Sequence, residues 1–276
     1  MKLNNTLENK LENLISVLKN KKVIVAFSGG VDSSLLAFLA KKHGKEALLV
    51  TERSLLYLDD DIDDAAQFAK KYQIPHIIID LDPLEDEDFT KNPVNRCYIC
   101  KKALYSGITQ IKEEKNYDII LDGSNLDDLS DYRPGMHALK ELNIITPYIE
   151  FKINKAEIRE LAKYFELDVH SKPSMACFAS RIPYNQIINE KKLIMIREAE
   201  RFLRNTFKLN QLRVRIHNEN LARIELLKED IPKIINDQDL EQIKNKFKEL
   251  GFMYITVDIE GFRSGSMNLP ITKNKK

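Results

Sequence analysis

Leu7, Leu11, Leu14, Ile15 and Leu18 recur at helical spacing, so residues 5–20 are predicted to form an amphipathic helix. The period then changes. Residues 22–27 (KVIVAF) are a short apolar, β-branched run, which predicts a buried strand. A glycine-containing loop follows, and then a helix over 33–42 with Leu35, Leu36, Phe38 and Leu39 as its apolar content. Residues 47–51 (ALLVT) predict a second strand. A third is expected at 76–80 (HIIID) and a fourth at 117–122 (YDIILD). The stretch 59–72 opens on Asp59, Asp60 and Asp61, carboxylates at the end of a helix that favours negative charge. Strand and helix alternate in the rhythm of a parallel sheet with helices on both faces.

Farther along, residues 92–102 carry a proline and a cysteine pair and read as a loop running into a helix. Residues 124–134 are polar and acidic, a loop expected at the carboxyl ends of strands. A helix is predicted over 154–166, and 171–185, with two prolines and Cys177, reads as a long loop of the kind that is often functional. From about residue 186 the pattern changes to a helix (190–206), two alternating strands (212–217 and 221–226), an amphipathic helix (237–250) and a last strand (254–259). The fold class is therefore α/β: a Rossmann-like domain over 1–185 and a smaller α+β domain over 186–276.

Composition changes this picture little. The 276 residues suffice for one large or two modest cores, and 43% hydrophobic with 31% charged residues is ordinary for a globular chain. The net charge of +1 leaves no global basic field of the kind that draws nucleic acid. Residues 1–22 are polar and of mixed charge, without the apolar stretch of a secretion signal. No apolar run approaches membrane-spanning length, so a cytoplasmic protein is expected. Cys97, Cys100 and Cys177 are too few, and odd in number, for a disulfide scaffold.

The chemistry begins at Ser28-Gly29-Gly30-Val31-Asp32-Ser33-Ser34, between the first strand and its helix. The glycines remove side chains so that backbone N–H groups can approach phosphate oxygens. The helix N-terminus adds further donors, and Ser28, Ser33 and Ser34 add hydroxyls. Asp32 repels phosphate, and is better suited to a Mg2+ ion that bridges phosphates. The stretch lacks the Gly-Lys-Ser/Thr of a Walker A loop. It resembles the loop of the PP-loop ATP pyrophosphatases, such as GMP synthetase, NAD synthetase and the tRNA thiolation enzymes. That resemblance implies that ATP is cut between its α and β phosphates to give an adenylated substrate.

Cys97-Tyr98-Ile99-Cys100 alone reads equally as a redox pair, half of a zinc site or two buried thiols. His170, seven residues before Cys177, would complete a Cys3His zinc set, although no second CxxC-type spacing supports one. The segment KPSMACFASRIPY (172–184) narrows the reading. Together with SGGVDSS, LDGSNLDDLSDYRPG (121–135) and GFRSGSMN (261–268), it resembles the LarE-type ATP-dependent sulfur transferases over almost the whole chain. The resemblance implies adenylation of a carboxylate of pyridinium-3,5-biscarboxylic acid mononucleotide. The carboxylate becomes a thiocarboxylate, for synthesis of the nickel-pincer nucleotide. The family has two variants. In one, a cysteine at the position of Cys177 gives up its sulfur and becomes dehydroalanine. In the other, three cysteines hold a 4Fe-4S cluster. Cysteines at 97, 100 and 177 match the cluster variant, with sulfide or another donor supplying the sulfur.

Arg213 and Arg215, two apart on one strand, share a face, and the resemblance favours for them a grip on the substrate's phosphate. The alternative for that face is a solvated or subunit-facing surface. Glu225 is a candidate for a second metal site, and Ser180 and Arg181 are expected to orient the substrate beside Cys177. Some of Asp127, Asp128, Asp131 and Arg133 are expected to face ATP or Mg2+. The C-terminal domain is expected to complete the substrate site and join copies into a homo-oligomer. A tRNA thiolation enzyme would share the loop, but predicts a basic surface or an added RNA-binding domain, against the near-neutral charge. A nucleotide-binding regulatory protein with a structural metal is the non-enzymatic alternative.

Overall fold

The computed structural model describes residues 3–130, 133–172, 177–263 and 265–269. In chain order the elements are α1 (Asn5–Leu18), β1 (Lys22–Ala26), α2 (Val31–His43), β2 (Glu46–Arg53), α3 (Asp59–Lys71), β3 (His76–Asp80), α4 (Glu87–Thr90), α5 (Arg96–Glu114), β4 (Ile119–Leu121), α6 (Gly135–Glu141), α7 (Pro147–Glu150), α8 (Lys155–Tyr164), α9 (Glu190–Phe207), β5 (Leu212–His217), β6 (Leu221–Leu226), α10 (Asp237–Glu249) and β7 (Tyr254–Val257). The chain divides into two compact units. The first comprises Met1–Ser54, Leu58–Leu81 and Asn95–Met175. The second comprises Leu55–Tyr57, Asp82–Val94 and Ala176–Lys276.

In the first unit the strand order is β3-β2-β1-β4, all parallel. β1 lies between two neighbours and is buried on both faces, which is why KVIVAF shows no alternation. One face of the sheet packs Val23, Val25 and Leu49 under Leu35, Leu36 and Leu39 of α2, with α1, α3 and α8 around them. The other face packs Ile24, Leu48, Val50 and Ile120 against Tyr105 and Ile108 of α5 and Leu139 of α6. Helices α1 and α8 start on polar side-chain caps. Asn4 accepts from the Leu7 amide at 2.8 Å. Asn154 and Glu157 form a reciprocal capping box at the start of α8. The acidic run at 59–61 is the first turn of α3, as the sequence suggested.

The second unit holds a smaller sheet of order β5-β6-β7. β5 and β6 form the expected antiparallel hairpin, with Val214 opposite Ile224 and Arg215 opposite Arg223. Its turn places Glu219 and Asn220 in the left-handed region, at φ 57° and 52°. β7 joins β6 in parallel, after the crossover through α10, and ends at Val257 rather than 259. The expected α/β domain with a smaller α+β region is what the chain adopts.

Candidate functional site

The loop after β1 turns tightly into α2. Gly29 has φ +68°, left-handed backbone that costs a side-chain-bearing residue strain, and Gly30 caps α2 in extended conformation. Ser33 Oγ sits inside the turn. It accepts from the Ser28 amide at 3.2 Å and donates to the Gly30 carbonyl at 3.2 Å. Ser28 Oγ and Ser33 Oγ are 3.2 Å apart. Ser34 is fully buried, its hydroxyl without a hydrogen-bond partner. Val31 is buried and fixes the helix start. Gly123, beyond β4, lies so close to the helix start that a Cβ there would stand 3.2 Å from the Asp32 Cβ and from the Ser33 amide.

Asp32 is the most heavily engaged residue of the loop. Its Oδ2 takes an ion pair from Lys155 Nζ, its Oδ1 accepts from Asn125 Nδ2 at 3.4 Å, and its carbonyl accepts from Tyr148 Oη at 2.9 Å. Burial first, and then the Asp32 charge, push the Tyr148 phenol well above its ordinary range, so this hydroxyl stays a donor. A second amine reaches the loop from a distant part of the chain. Lys172 Nζ donates to the Gly29 carbonyl at 3.3 Å and pairs with Asp64 at 2.8 Å. Neither lysine was singled out by the sequence, since both lie more than 120 residues from the loop.

Of the acidic loop 124–134, the described carboxylates are committed to local structure. Asp127 accepts from the Lys155 amide at 2.9 Å. Asp128 accepts from the Asn125 amide at 2.9 Å and pairs with Arg133 at 2.8 Å. Asp131 lies outside the described residues. The carboxylate that the sequence did not single out is Asp122, just past β4. Burial alone would raise its pKa. The Lys101 charge at 2.9 Å outweighs that, together with hydrogen bonds from the Ser124 amide, Tyr105 Oη and Lys101, and holds it below the usual range. Glu52, at the carboxyl end of β2, is also buried. It accepts from Ser54 Oγ at 2.8 Å, and burial pushes its carboxyl up.

Cys97 and Cys100 lie in the first two turns of α5, one helical turn apart and so on one side of it. Cys97 is exposed, Cys100 half-buried, and neither is in a disulfide. Lys101 and Tyr105, which hold Asp122, belong to the same helix. His170 Nδ1 lies 3.0 Å from the Leu167 carbonyl. Among the described residues, no group of three or more His, Cys, Asp or Glu side chains is gathered as for a metal ion.

In the second unit, Cys177 precedes a short 3-10 turn, Phe178–Arg181. Its carbonyl accepts from Ser180 Oγ at 2.7 Å and from Arg181 Nη1 at 3.0 Å. Arg181 is buried against Glu200 of α9. The two residues therefore shape the backbone at Cys177. Arg213 and Arg215 are 4% and 5% exposed, so the face they share is no solvated surface. Arg215 pairs with Glu225 at 2.8 Å and donates to the Ser180 carbonyl at 3.1 Å. Arg213 stacks on Phe262, with 5.3 Å between the guanidinium carbon and the ring centre. Burial, and then the neighbouring Arg181, Arg215 and Arg204, pull its pKa down to about 9 against the opposing charge of Glu200. Glu225 accepts from Arg215 on one oxygen and from Ser266 Oγ and Arg223 on the other. Its contacts are thus cationic and hydroxylic.

The parallel sheet, the loop that follows its first strand, and the helix start beyond it define a PP-loop nucleotide-binding fold. The NAD synthase family model matches residues 3–95, the segment that holds this loop. An uncharacterized protein of Synechocystis sp. is 38% identical over 269 residues, 97% of this chain and all of that protein. The pyridinium-3,5-bisthiocarboxylic acid mononucleotide synthase of Lactiplantibacillus plantarum is 33% identical over 271 residues, 97% of each chain. A tRNA-specific 2-thiouridylase of Clostridioides difficile is 25% identical over 222 residues, 65% of this chain and 61% of that protein. The chain belongs to the LarE-type family of pyridinium-3,5-bisthiocarboxylic acid mononucleotide synthases. Among the described residues, no helix is long and apolar enough to cross a membrane.

Proposed function

We propose that the protein is an ATP-dependent sulfur transferase that acts on the carboxylates of pyridinium-3,5-biscarboxylic acid mononucleotide, in synthesis of the nickel-pincer nucleotide. The observation that carries this reading is the loop around Gly29 and Ser33, in a chain matched end to end by a synthase of the bisthiocarboxylic acid mononucleotide. In the first step a carboxylate oxygen attacks the α phosphorus of ATP, and pyrophosphate leaves. The loop amides and the α2 N-terminus would stabilise the charge that develops on the leaving group. Asp32 offers Mg2+ the hard oxygen donors that ion prefers. In the second step a sulfur nucleophile adds to the activated carbonyl and AMP leaves, giving a thiocarboxylate. Arg213 and Arg215 would hold the substrate's phosphate, for which buried guanidiniums are well matched.

For the sulfur we favour a 4Fe-4S cluster held by Cys97, Cys100 and Cys177. All three are cysteines outside any disulfide, the donor type such a cluster takes, although the described residues show no gathered metal-binding group. The three thiolates would hold the cluster, and the chemistry it would supply when bound is sulfide as the nucleophile. Ser180 and Arg181 would set the position of Cys177 through its carbonyl. The alternative is that Cys177 surrenders its own sulfur. The near-neutral charge and the partial coverage of the thiouridylase speak against tRNA as acceptor.

Two measurements test this reading. Anaerobically reconstituted protein should bind iron and sulfide, and lose both on substitution of any of the three cysteines. Mass spectrometry of the product should show carboxylate oxygen exchanged for sulfur. Iron-free protein whose Cys177 becomes dehydroalanine in one turnover would shift the reading to the sacrificial variant. An unchanged mononucleotide would refute both.

A further inference from the structure

The loop has no lysine of its own, yet the fold delivers two to it: Lys172, which reaches the Gly29 carbonyl and is paired with Asp64, and Lys155, which is paired with Asp32 of the loop itself. Lys155 opens α8, and its backbone is fixed twice. Its amide donates to Asp127 at 2.9 Å, and the residue before it caps the helix through the Asn154–Glu157 box. Its side chain, 28% exposed, places Nζ on Asp32 Oδ2, and the Asp32 side chain is 23% exposed. The ion pair therefore occupies the carboxylate best placed to take a divalent cation at the start of α2. Asp32 without Lys155 would present a negative charge at the mouth of a phosphate cradle. With Lys155 it is neutralised.

We propose that Lys155 is the phosphate-gripping lysine of this loop, held on Asp32 until a divalent cation takes its place. The proposal rests on the reading of the loop as an ATP pyrophosphate site. A doubly charged ion on Asp32 repels the ammonium group. The stem, anchored at its backbone, can swing Nζ only within its own length of the loop that holds Asp32, where on the reading above the incoming anion would be pyrophosphate. No bond is made or broken: one cation is exchanged for another on Asp32, and the displaced one moves to phosphate. The exchange makes metal and phosphate binding interdependent, because Mg2+ alone must evict Lys155 with no new partner for it.

The test uses full-length protein and two probes, Mn2+ alone followed by electron paramagnetic resonance, and magnesium pyrophosphate followed by calorimetry. Lys155→Gln should bind Mn2+ alone several-fold more tightly than wild type, because Asp32 is vacated. The same variant should bind magnesium pyrophosphate more weakly by about tenfold or more, the loss of one charge-assisted hydrogen bond. Lys155→Arg, which keeps the charge, should retain most of the pyrophosphate affinity. Unchanged affinities in Lys155→Gln would overturn the proposal, and so would weakening of both probes, the mark of a merely structural residue. Failure of wild type itself to bind magnesium pyrophosphate would instead refute the loop's assignment, and this proposal with it.

Discussion

Arg181 and Glu200 form a two-point ion pair in the interior of the second unit. Arg181 Nε donates to one Glu200 oxygen at 2.9 Å and Nη2 to the other at 3.2 Å, with side chains 2% and 1% exposed. The same Glu200 accepts from the Val214 amide at 3.0 Å, and the same Arg181 donates to the Cys177 carbonyl. One carboxylate thus ties the cysteine turn, α9 and the arginine strand β5 together. Burial would raise the Glu200 pKa, but the charge of Arg181 overcomes it and keeps Glu200 ionised. Removing one partner leaves the other charged and buried. Glu200→Ala is expected to cost about 3–5 kcal/mol in urea unfolding. A loss below about 1 kcal/mol, the size of an exposed pair, would show that the pair is not a structural centre.

The cysteines separate by phenotype. Cys177→Ser should abolish product formation under either sulfur source. Cys97→Ser and Cys100→Ser should do so only if iron is needed, each with parallel loss of bound iron. Activity assays beside iron analysis check this. Full activity in Cys97→Ser with no iron bound would remove the cluster from the account.

The buried arginines predict a response to anions. Arg181, Arg213 and Arg215 crowd one region, and the pKa of Arg213 is pulled down to about 9 first by burial and then by the repulsion of its neighbours Arg181 and Arg215, against the charge of Glu200. Inorganic phosphate should relieve that repulsion and raise the melting temperature. At a concentration near 100 times its Kd the gain is about 2.7 kcal/mol. Arg213→Ala should abolish most of this phosphate-dependent shift in calorimetry. Its persistence at full size would place the anion elsewhere.

Acid should weaken the fold through histidine. Burial holds His43, His76 and His217 below the ordinary value of 6.5, with neighbouring Arg223 and Arg215 adding to the effect at His217. Below pH 6.5 the unfolded chain takes up protons that the folded chain resists. The stability contributed is therefore complete above that value and is lost as pH falls through the folded-state pKa. His76 Nε2 lies 2.7 Å from Thr51 Oγ1, and His76→Gln should lessen the fall in urea midpoint between about pH 7.5 and about pH 5. An unaltered fall would exclude His76 as a contributor.

The layers of the fold were legible because periodicity reports burial. KVIVAF reads as a central strand because residues on both of its faces are covered, and Leu7, Leu11, Leu14 and Leu18 read as a helix because one side of it is. The loop was legible as local chemistry on seven consecutive residues. Lys155, Lys172, Asp122 and Glu200 were not. Their partners Asp32, Gly29, Lys101 and Arg181 lie elsewhere in the chain, and only folding makes them neighbours. Arg213 and Arg215 were legible as sharing a strand face, but the alternation of β5 did not reveal that both faces are covered. In the acidic loop, Asp127 and Asp128 were legible as carboxylates, while their hold on the backbone amides of Lys155 and Asn125 was not.

The central claim is that the SGGVDSS loop serves cleavage of ATP between its α and β phosphates in the service of a carboxylate. Its most direct test is pyrophosphate release by full-length protein given ATP, Mg2+ and pyridinium-3,5-biscarboxylic acid mononucleotide. The account predicts pyrophosphate and AMP in equal amounts, dependent on the mononucleotide and abolished in Asp32→Ala. Release of inorganic phosphate and ADP, or pyrophosphate formed at the same rate without the mononucleotide, would contradict it.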